Sequence, residues 1–141
     1  MADGIQFIQK ENPSEEDIGI IRNGLRSFNR KNWGNIGLKQ YTIHIFDEEN
    51  KNVGGSYFYI FGNWLEIEYV WIEEPYRRKG IGKRLLSEVE EIGKKSGCTA
   101  SCLNTLEFQA KPFYEKNGYT VVYTQKSIPV SITKYYMEKK L

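Results

Sequence analysis

The stretch Arg77-Arg78-Lys79-Gly80-Ile81-Gly82-Lys83-Arg84-Leu85-Leu86 narrows what this chain can fold into more than any other. The apolar run Tyr69-Val70-Trp71-Ile72 just before it reads as a strand. After it, Ile81, Leu85, Val89 and Ile92 recur on one helical face with charged residues between them. A basic, glycine-containing turn therefore joins a strand to the start of a helix. Glycine adopts torsions closed to other residues and lets a ligand approach the backbone. The first amides of a helix lack carbonyl partners, and the helix dipole favours negative charge beside them. The flanking arginines and lysines add formal positive charge. Such a turn suits a phosphorylated ligand, and a pyrophosphate in particular.

Two familiar phosphate loops fit poorly. A nucleotide-triphosphate loop needs an earlier glycine where Arg77 stands, and Ser or Thr after the lysine for magnesium; here Arg84 follows Lys83. A dinucleotide fingerprint needs a third glycine at the position held by Leu85. What remains is Arg-x-x-Gly-x-Gly, from Arg77 to Gly82, after a strand.

With 141 residues the chain is expected to form one domain with a real core. Its net charge of +2 argues against a dedicated nucleic-acid binder. No run approaches a membrane-spanning length and the N-terminus lacks a basic-then-apolar signal, so a cytoplasmic protein is expected. Cys98 and Cys102 read as buried free thiols in one strand, and with His44 as the single histidine no metal site is expected. His44 reads as a structural or rim residue.

In chain order, Ile5-Gln6-Phe7-Ile8 reads as a short strand. Ser14, Glu15, Glu16 and Asp17 start a helix that carries Ile18, Ile21, Leu25 and Phe28 on one face to about Asn29. Lys31 to Lys39 reads as a loop. Tyr41 to Phe46, Val53 to Phe61 and Trp64 to Glu73 read as three consecutive antiparallel strands, with Gly54-Gly55 marking a bulge or close approach. The central helix runs from about Gly80 to Ser96, with Glu90–Lys94 and Glu91–Lys95 spaced as exposed pairs. Thr99 to Asn104 follows as a strand parallel to Trp64–Glu73. A short helix from Ala110 to Asn117, a strand from Tyr119 to Thr124, a loop from Gln125 to Pro129 and a last strand from Ser131 to Glu138 complete the chain.

Strict alternation along the third of these antiparallel strands puts Leu65, Ile67, Tyr69 and Trp71 on one side and Glu66, Glu68, Val70 and Ile72 on the other. Two glutamates on an otherwise apolar face cannot both be dry and charged without partners. Either that face opens into a wet cleft, or both carboxylates are simply solvated.

The Arg77–Gly82 pattern resembles the acetyl-CoA signature of the GNAT acyltransferase superfamily. A second segment, Asn104 to Tyr119, is similar to that superfamily's Ala-x-x-Phe-Tyr-x-x-x-Gly-Tyr motif, matched by Ala110, Phe113, Tyr114, Gly118 and Tyr119. The two motifs stand in the right order and spacing. The resemblance implies an α/β fold of the α+β type, the GNAT acyl-CoA N-acyltransferase fold. It would have a central mixed, mostly antiparallel sheet of about six to seven strands, splayed between the fourth and fifth and flanked by helices. It also implies that acetyl-CoA is the co-substrate and that its arm lies in the splay against Val70, Trp71 and Ile72. The pyrophosphate would rest on Arg78, Lys79, Gly80, Ile81, Gly82 and Lys83. Arg77 would either join it or brace the turn from outside. Asn104 and Phe113 would lie along the arm, or Asn104 would merely end a strand.

By the same resemblance Tyr114 would protonate the leaving sulfur, and Glu66 or Glu68 would remove the proton of an attacking amine. A backbone amide near Val70 would hold the oxyanion. The implied enzyme is an N-acetyltransferase acting by direct attack in a ternary complex, with a small cationic amine favoured by the two glutamates. Protein lysines or N-termini, a non-catalytic acyl-CoA sensor or scaffold, and a homodimeric assembly stay open. The loops 31–39 and 125–129 would frame the acceptor.

Overall fold

The computed structural model describes residues 4–34, 37–127 and 131–141. The chain divides into two units, Met1–Ile36 and Gly37–Leu141.

The first unit is built on helix α1 (Glu15–Trp33). Ser14 caps it: its Oγ accepts from the Asp17 N–H at 3.1 Å, and the Asp17 carboxylate accepts from the Ser14 N–H at 3.2 Å. This reciprocal box satisfies two amides that the first helical turn leaves over. Lys10 pairs with Asp17 at 2.7 Å and, with the Ser14 contacts, holds its carboxyl below the usual aspartate value. The helix passes the expected end near Asn29 and stops at Gly34, whose φ is 70°. Arg30 and Lys31 sit in its last turn, where the dipole favours cations, and the Asn32 amide donates to the Phe28 carbonyl. Residues 31–33 are therefore helix rather than loop, and Lys39 begins a strand. Residues 35 and 36 of the expected loop lie outside the described residues. Ile5 to Ile8 is not a strand: an apolar tetrapeptide has β-propensity, but a strand also needs a ladder partner, and this segment pairs with none of the described residues.

The second unit is a six-stranded sheet with helices. Its strands are β1 (Lys39–Phe46), β2 (Asn52–Phe61), β3 (Trp64–Ile72), β4 (Ala100–Leu106), β5 (Thr120–Ser127) and β6 (Ile132–Lys140), in the spatial order β1-β2-β3-β4-β6-β5. All neighbours are antiparallel except β3 and β4. That parallel pair is joined by helix α2 (Ile81–Lys95), as a strand–helix–strand unit requires. A short helix, α3 (Lys111–Lys116), links β4 to β5. Gln125 to Ser127 belong to β5 rather than to a loop, because they pair with Ile132, Thr133 and Lys134; residues 128–130 lie outside the described residues. Cys98 precedes β4, so only Cys102 of the two thiols lies in the strand.

Helix α2 covers one face of the sheet. Leu85, Leu86 and Val89 pack with Phe58, Ile60, Leu65, Ile67, Leu103 and Met137. Each such side chain contributes about 1.5–3 kcal/mol on burial. Gly93 brings the helix close, since a Cβ there would lie 3.0 Å from Leu65 Cδ2. Glu90 is buried on this face, so it is not half of an exposed pair with Lys94. Lys139 Nζ donates to it at 2.9 Å, and the Tyr119 hydroxyl donates to its other oxygen at 2.9 Å. Helical spacing alone cannot anticipate a partner that lies 49 residues away. No helix among the described residues is long and apolar enough to cross a membrane.

Candidate active site

The site is built on β3, and a bulge decides its faces. Ser56 lies opposite Val70 and Tyr57 opposite Tyr69, but Phe58 lies opposite Ile67. Glu68 is the extra residue, and an extra residue reverses the alternation beyond it. Leu65 and Ile67 face α2 before the bulge. Val70 and Ile72 face it afterwards: Val70 packs on the core, and Ile72 lies under Gly82 of α2. Glu66, Tyr69 and Trp71 share the other side of the sheet, where Tyr69 meets the Tyr57 ring with centroids 5.9 Å apart. The strict alternation expected from the sequence is thus corrected. Glu66 is not on the face of Val70 and Ile72.

The bulge sits where the sheet opens. Parallel pairing runs from Trp64–Ala100 to Ile67–Leu103 and stops. From Glu68 onward β3 pairs only with β2, and from Asn104 onward β4 pairs only with β6. The Tyr69 carbonyl accepts from Ser56 Oγ at 2.8 Å and the Glu73 N–H donates to the Val53 carbonyl at 2.8 Å, both toward β2. Peptide groups alternate in direction along a strand. Those of Val70 and Ile72 therefore point to the opened edge, toward β4. Asn104, exposed, stands on the other lip.

Above the opening, β3 ends in a single helical turn, Glu74–Tyr76. Arg77 Nε donates to the Ile72 carbonyl at 2.8 Å, so Arg77 braces the turn against the strand. Arg78 takes a φ of 62° and Gly80 one of 78°, which folds the backbone back before α2 begins. Arg84 makes the first helical bond, to the Gly80 carbonyl at 3.1 Å. The amides of Ile81, Gly82 and Lys83 precede it and have no place in the helical ladder. The first turn of α2 carries no acidic residue. Lys79 leans over the Tyr76 ring at 5.9 Å. This backbone, with its cations, has the shape and sign that a diphosphate needs. Gly82 is held against Ile72 and Phe113, whose atoms would lie 3.3 and 3.4 Å from an added Cβ. A side chain there would push the turn away from both strand and short helix.

Helix α3 supplies Tyr114, which is buried, with its ring edge-on to Phe113 and Tyr119 at 5.2 and 5.8 Å. Burial pushes its phenol up to about 12. It therefore stays protonated, and able to donate, throughout the neutral range. The loop before α3 is tied down by Gln109, whose Oε1 accepts from the Leu106 N–H at 2.7 Å and from the Thr105 hydroxyl at 3.2 Å.

On the opposite face, the Tyr59 hydroxyl donates to Glu66 Oε2. Burial, followed by the Glu66 and Glu68 carboxylates, raises the Tyr59 phenol. Cys102 stands beside Glu66 on β4 and opposite Glu138 on β6. Burial first, then Glu66, Glu138 and Glu68, push its thiol up to about 11, which leaves it protonated and a poor nucleophile. His44, on the edge strand β1, has its Nδ1 2.8 Å from Asn52 Nδ2 and lines a hollow with Tyr69 and Trp71 on the Glu66 side of the sheet. Sequence reasoning missed Tyr59, Ser56 and Tyr119 as partners of the site. The first was within reach: a tight turn at Gly62-Asn63 sets Phe61 opposite Trp64, and counting back along both strands puts Tyr59 opposite Glu66. The bulge that brings Ser56 to the Tyr69 carbonyl has no comparable signal.

The chain is similar in sequence and fold to known acetyltransferases. The family described as "Acetyltransferase (GNAT) domain" matches residues 39–121. Blasticidin-S acetyltransferase of Streptomyces morookaense is 29% identical over 105 residues, covering 74% of this chain and 77% of that protein. The crystal structure of an acetyltransferase from Bacillus cereus ATCC 14579 superposes with a TM-score of 0.80 at 28% identity, covering 95% of this chain and 98% of that one. The PaiA N-acetyltransferase of Thermoplasma acidophilum, solved in complex with coenzyme A, has a TM-score of 0.61 at 27% identity, covering 92% and 81%.

Proposed function

The chain belongs to the GNAT acetyltransferase family, and from that premise we propose that it acetylates a small cationic amine by direct attack on acetyl-CoA in a ternary complex. The observation that carries the reading is the opened edge of β3. The peptide groups of Val70 and Ile72, outside the β3–β4 ladder, lead to the amide-lined turn at Arg78–Lys83, with Tyr114 on one side of the sheet and Glu66 on the other.

When bound, acetyl-CoA supplies an activated thioester. Val70 and Ile72 pair with its arm, and the turn holds the diphosphate through the amides of Ile81, Gly82 and Lys83. The Val70 N–H donates to the carbonyl oxygen as charge develops there. The acceptor first gives an ammonium proton to solvent, and Glu66 then takes the second proton as the neutral amine forms the new C–N bond. Tyr114 gives its hydroxyl proton to the sulfur as the C–S bond breaks. Proton exchange with solvent then restores both side chains. Asn104 lies along the arm, and Arg77 keeps the turn in place. Glu68 and Glu138, near Glu66 and Cys102, add to the negative field that attracts a cationic acceptor.

The test is transfer of a radiolabelled acetyl group to a panel of polyamines, antibiotics and peptides, with blasticidin S included because a relative acts on it. A small amine acetylated well ahead of the peptides is the expected result. Tight coenzyme A binding with no transfer to any acceptor would overturn it, and preferential labelling of peptide N-termini or lysines would move the activity to proteins.

A further inference from the structure

The proposed base is not a lone carboxylate on a solvated face. Glu66 and Tyr59 are register partners on β3 and β2, and their side chains lie on the same side of the sheet. The phenol O–H of Tyr59 is donated to Oε2 of Glu66. The other titratable groups facing this pair are Glu68 on β3 and Cys102 on β4, with Glu138 of β6 beyond Cys102. Among the described residues no lysine, arginine or histidine forms an ion pair with Glu66. The one donor that the described residues show on the Glu66 carboxylate is therefore a neutral phenol. Tyr59 is itself positioned, since its ring lies 6.3 Å from that of Tyr57 on the same strand face.

We propose that Tyr59 is the positioning residue of the base. By occupying Oε2 it fixes the plane of the carboxylate and leaves Oε1 to take the amine proton. A neutral donor does this without the drawback of a lysine or arginine. A cation would stabilise the carboxylate so strongly that it became a poor base, and it would repel a cationic acceptor. The inference deepens the reading of Glu66 as base and rests on it.

The experiment compares the full-length wild type with Tyr59→Phe and Glu66→Gln. Tyr59→Phe removes a single oxygen and keeps the ring. In Tyr59→Phe, turnover on the best amine of the panel should fall about tenfold, with the KM for acetyl-CoA within about twofold of wild type, as expected when only the chemical step suffers. If Tyr59 acts through Glu66, adding Tyr59→Phe to Glu66→Gln should cost no further turnover, whereas a merely structural role would lower both backgrounds alike. Unchanged turnover in Tyr59→Phe beside a clear loss in Glu66→Gln, or equal losses in both backgrounds, would overturn the role of Tyr59 alone. Full turnover in Glu66→Gln would instead remove Glu66 as the base, and the role of Tyr59 with it.

Discussion

Tyr119 donates its buried hydroxyl to Glu90 Oε2 at 2.9 Å, beneath the same helix whose N-terminus forms the proposed diphosphate turn. Ser101 Oγ lies 2.9 Å from that hydroxyl, and Lys139 Nζ reaches both Glu90 oxygens at 2.9 and 3.2 Å. Helix α2 is thus tied through one carboxylate to β6 and to Tyr119, the residue before β5, and through Tyr119 to β4. Because the Tyr119 ring also carries the Tyr114 ring edge-on, this network sets the floor under the proposed proton donor.

Glu90→Ala should therefore destabilise the protein by about 3 kcal/mol, because it strands an ammonium and a phenol that are largely out of water. Glu91→Ala, which loses only an exposed pair with Lys94 at 3.7 Å, should cost less than about 0.5 kcal/mol. Urea denaturation of the two variants side by side makes the measurement, and equal midpoints would contradict the buried network.

Tyr114→Phe keeps the ring packing and removes the proton donor. Turnover should drop about 100-fold while acetyl-CoA affinity, read by calorimetry, stays within about twofold. Its pH behaviour has a definite sign. The folded phenol is raised to about 12 from 10.0, so the unfolded chain ionises first as pH rises. Tyr114 therefore favours folding fully below pH 10, and that contribution is lost between 10 and about 12. Wild type should lose more stability across that window than Tyr114→Phe does.

Gly80 caps α2 with a φ of 78° and has open space around the position a Cβ would take. Gly80→Ala should thus meet no steric clash and suffer from torsion alone, at about 1 kcal/mol. If the turn relaxes to relieve it, the amides of Ile81 to Lys83 turn away. Acetyl-CoA binding should then weaken about tenfold in a titration, and unchanged affinity would mean that the turn is not the diphosphate site.

Ser56→Ala removes the 2.8 Å bond to the Tyr69 carbonyl beside the bulge. The direct loss is about 1 kcal/mol of stability. A stronger effect is expected on turnover, because the bulge aims both the Val70 amide and the Glu66 side chain. A variant with lowered stability but full turnover would show that the bulge holds itself.

Much of this protein can be read along the chain, because its signals are local. A strand, a glycine turn with five basic residues close by, and a helix with Leu85 and Val89 on its inner face follow from neighbouring residues alone, and they give both the family and the turn proposed for the diphosphate. The hairpin turn at Gly62-Asn63 even carries the pairing of Tyr59 with Glu66. What the tertiary structure decided are relations between distant segments. Period-two counting cannot see that Glu68 bulges, since a bulge is relieved by the partner strand, and one such residue exchanges the faces of everything after it. Nor can helical spacing reveal that Glu90 is buried, because its partners arrive from the far end of the chain. The split between β3 and β4 likewise depends on where two strands part company, a balance of twist and pairing that neither strand encodes by itself.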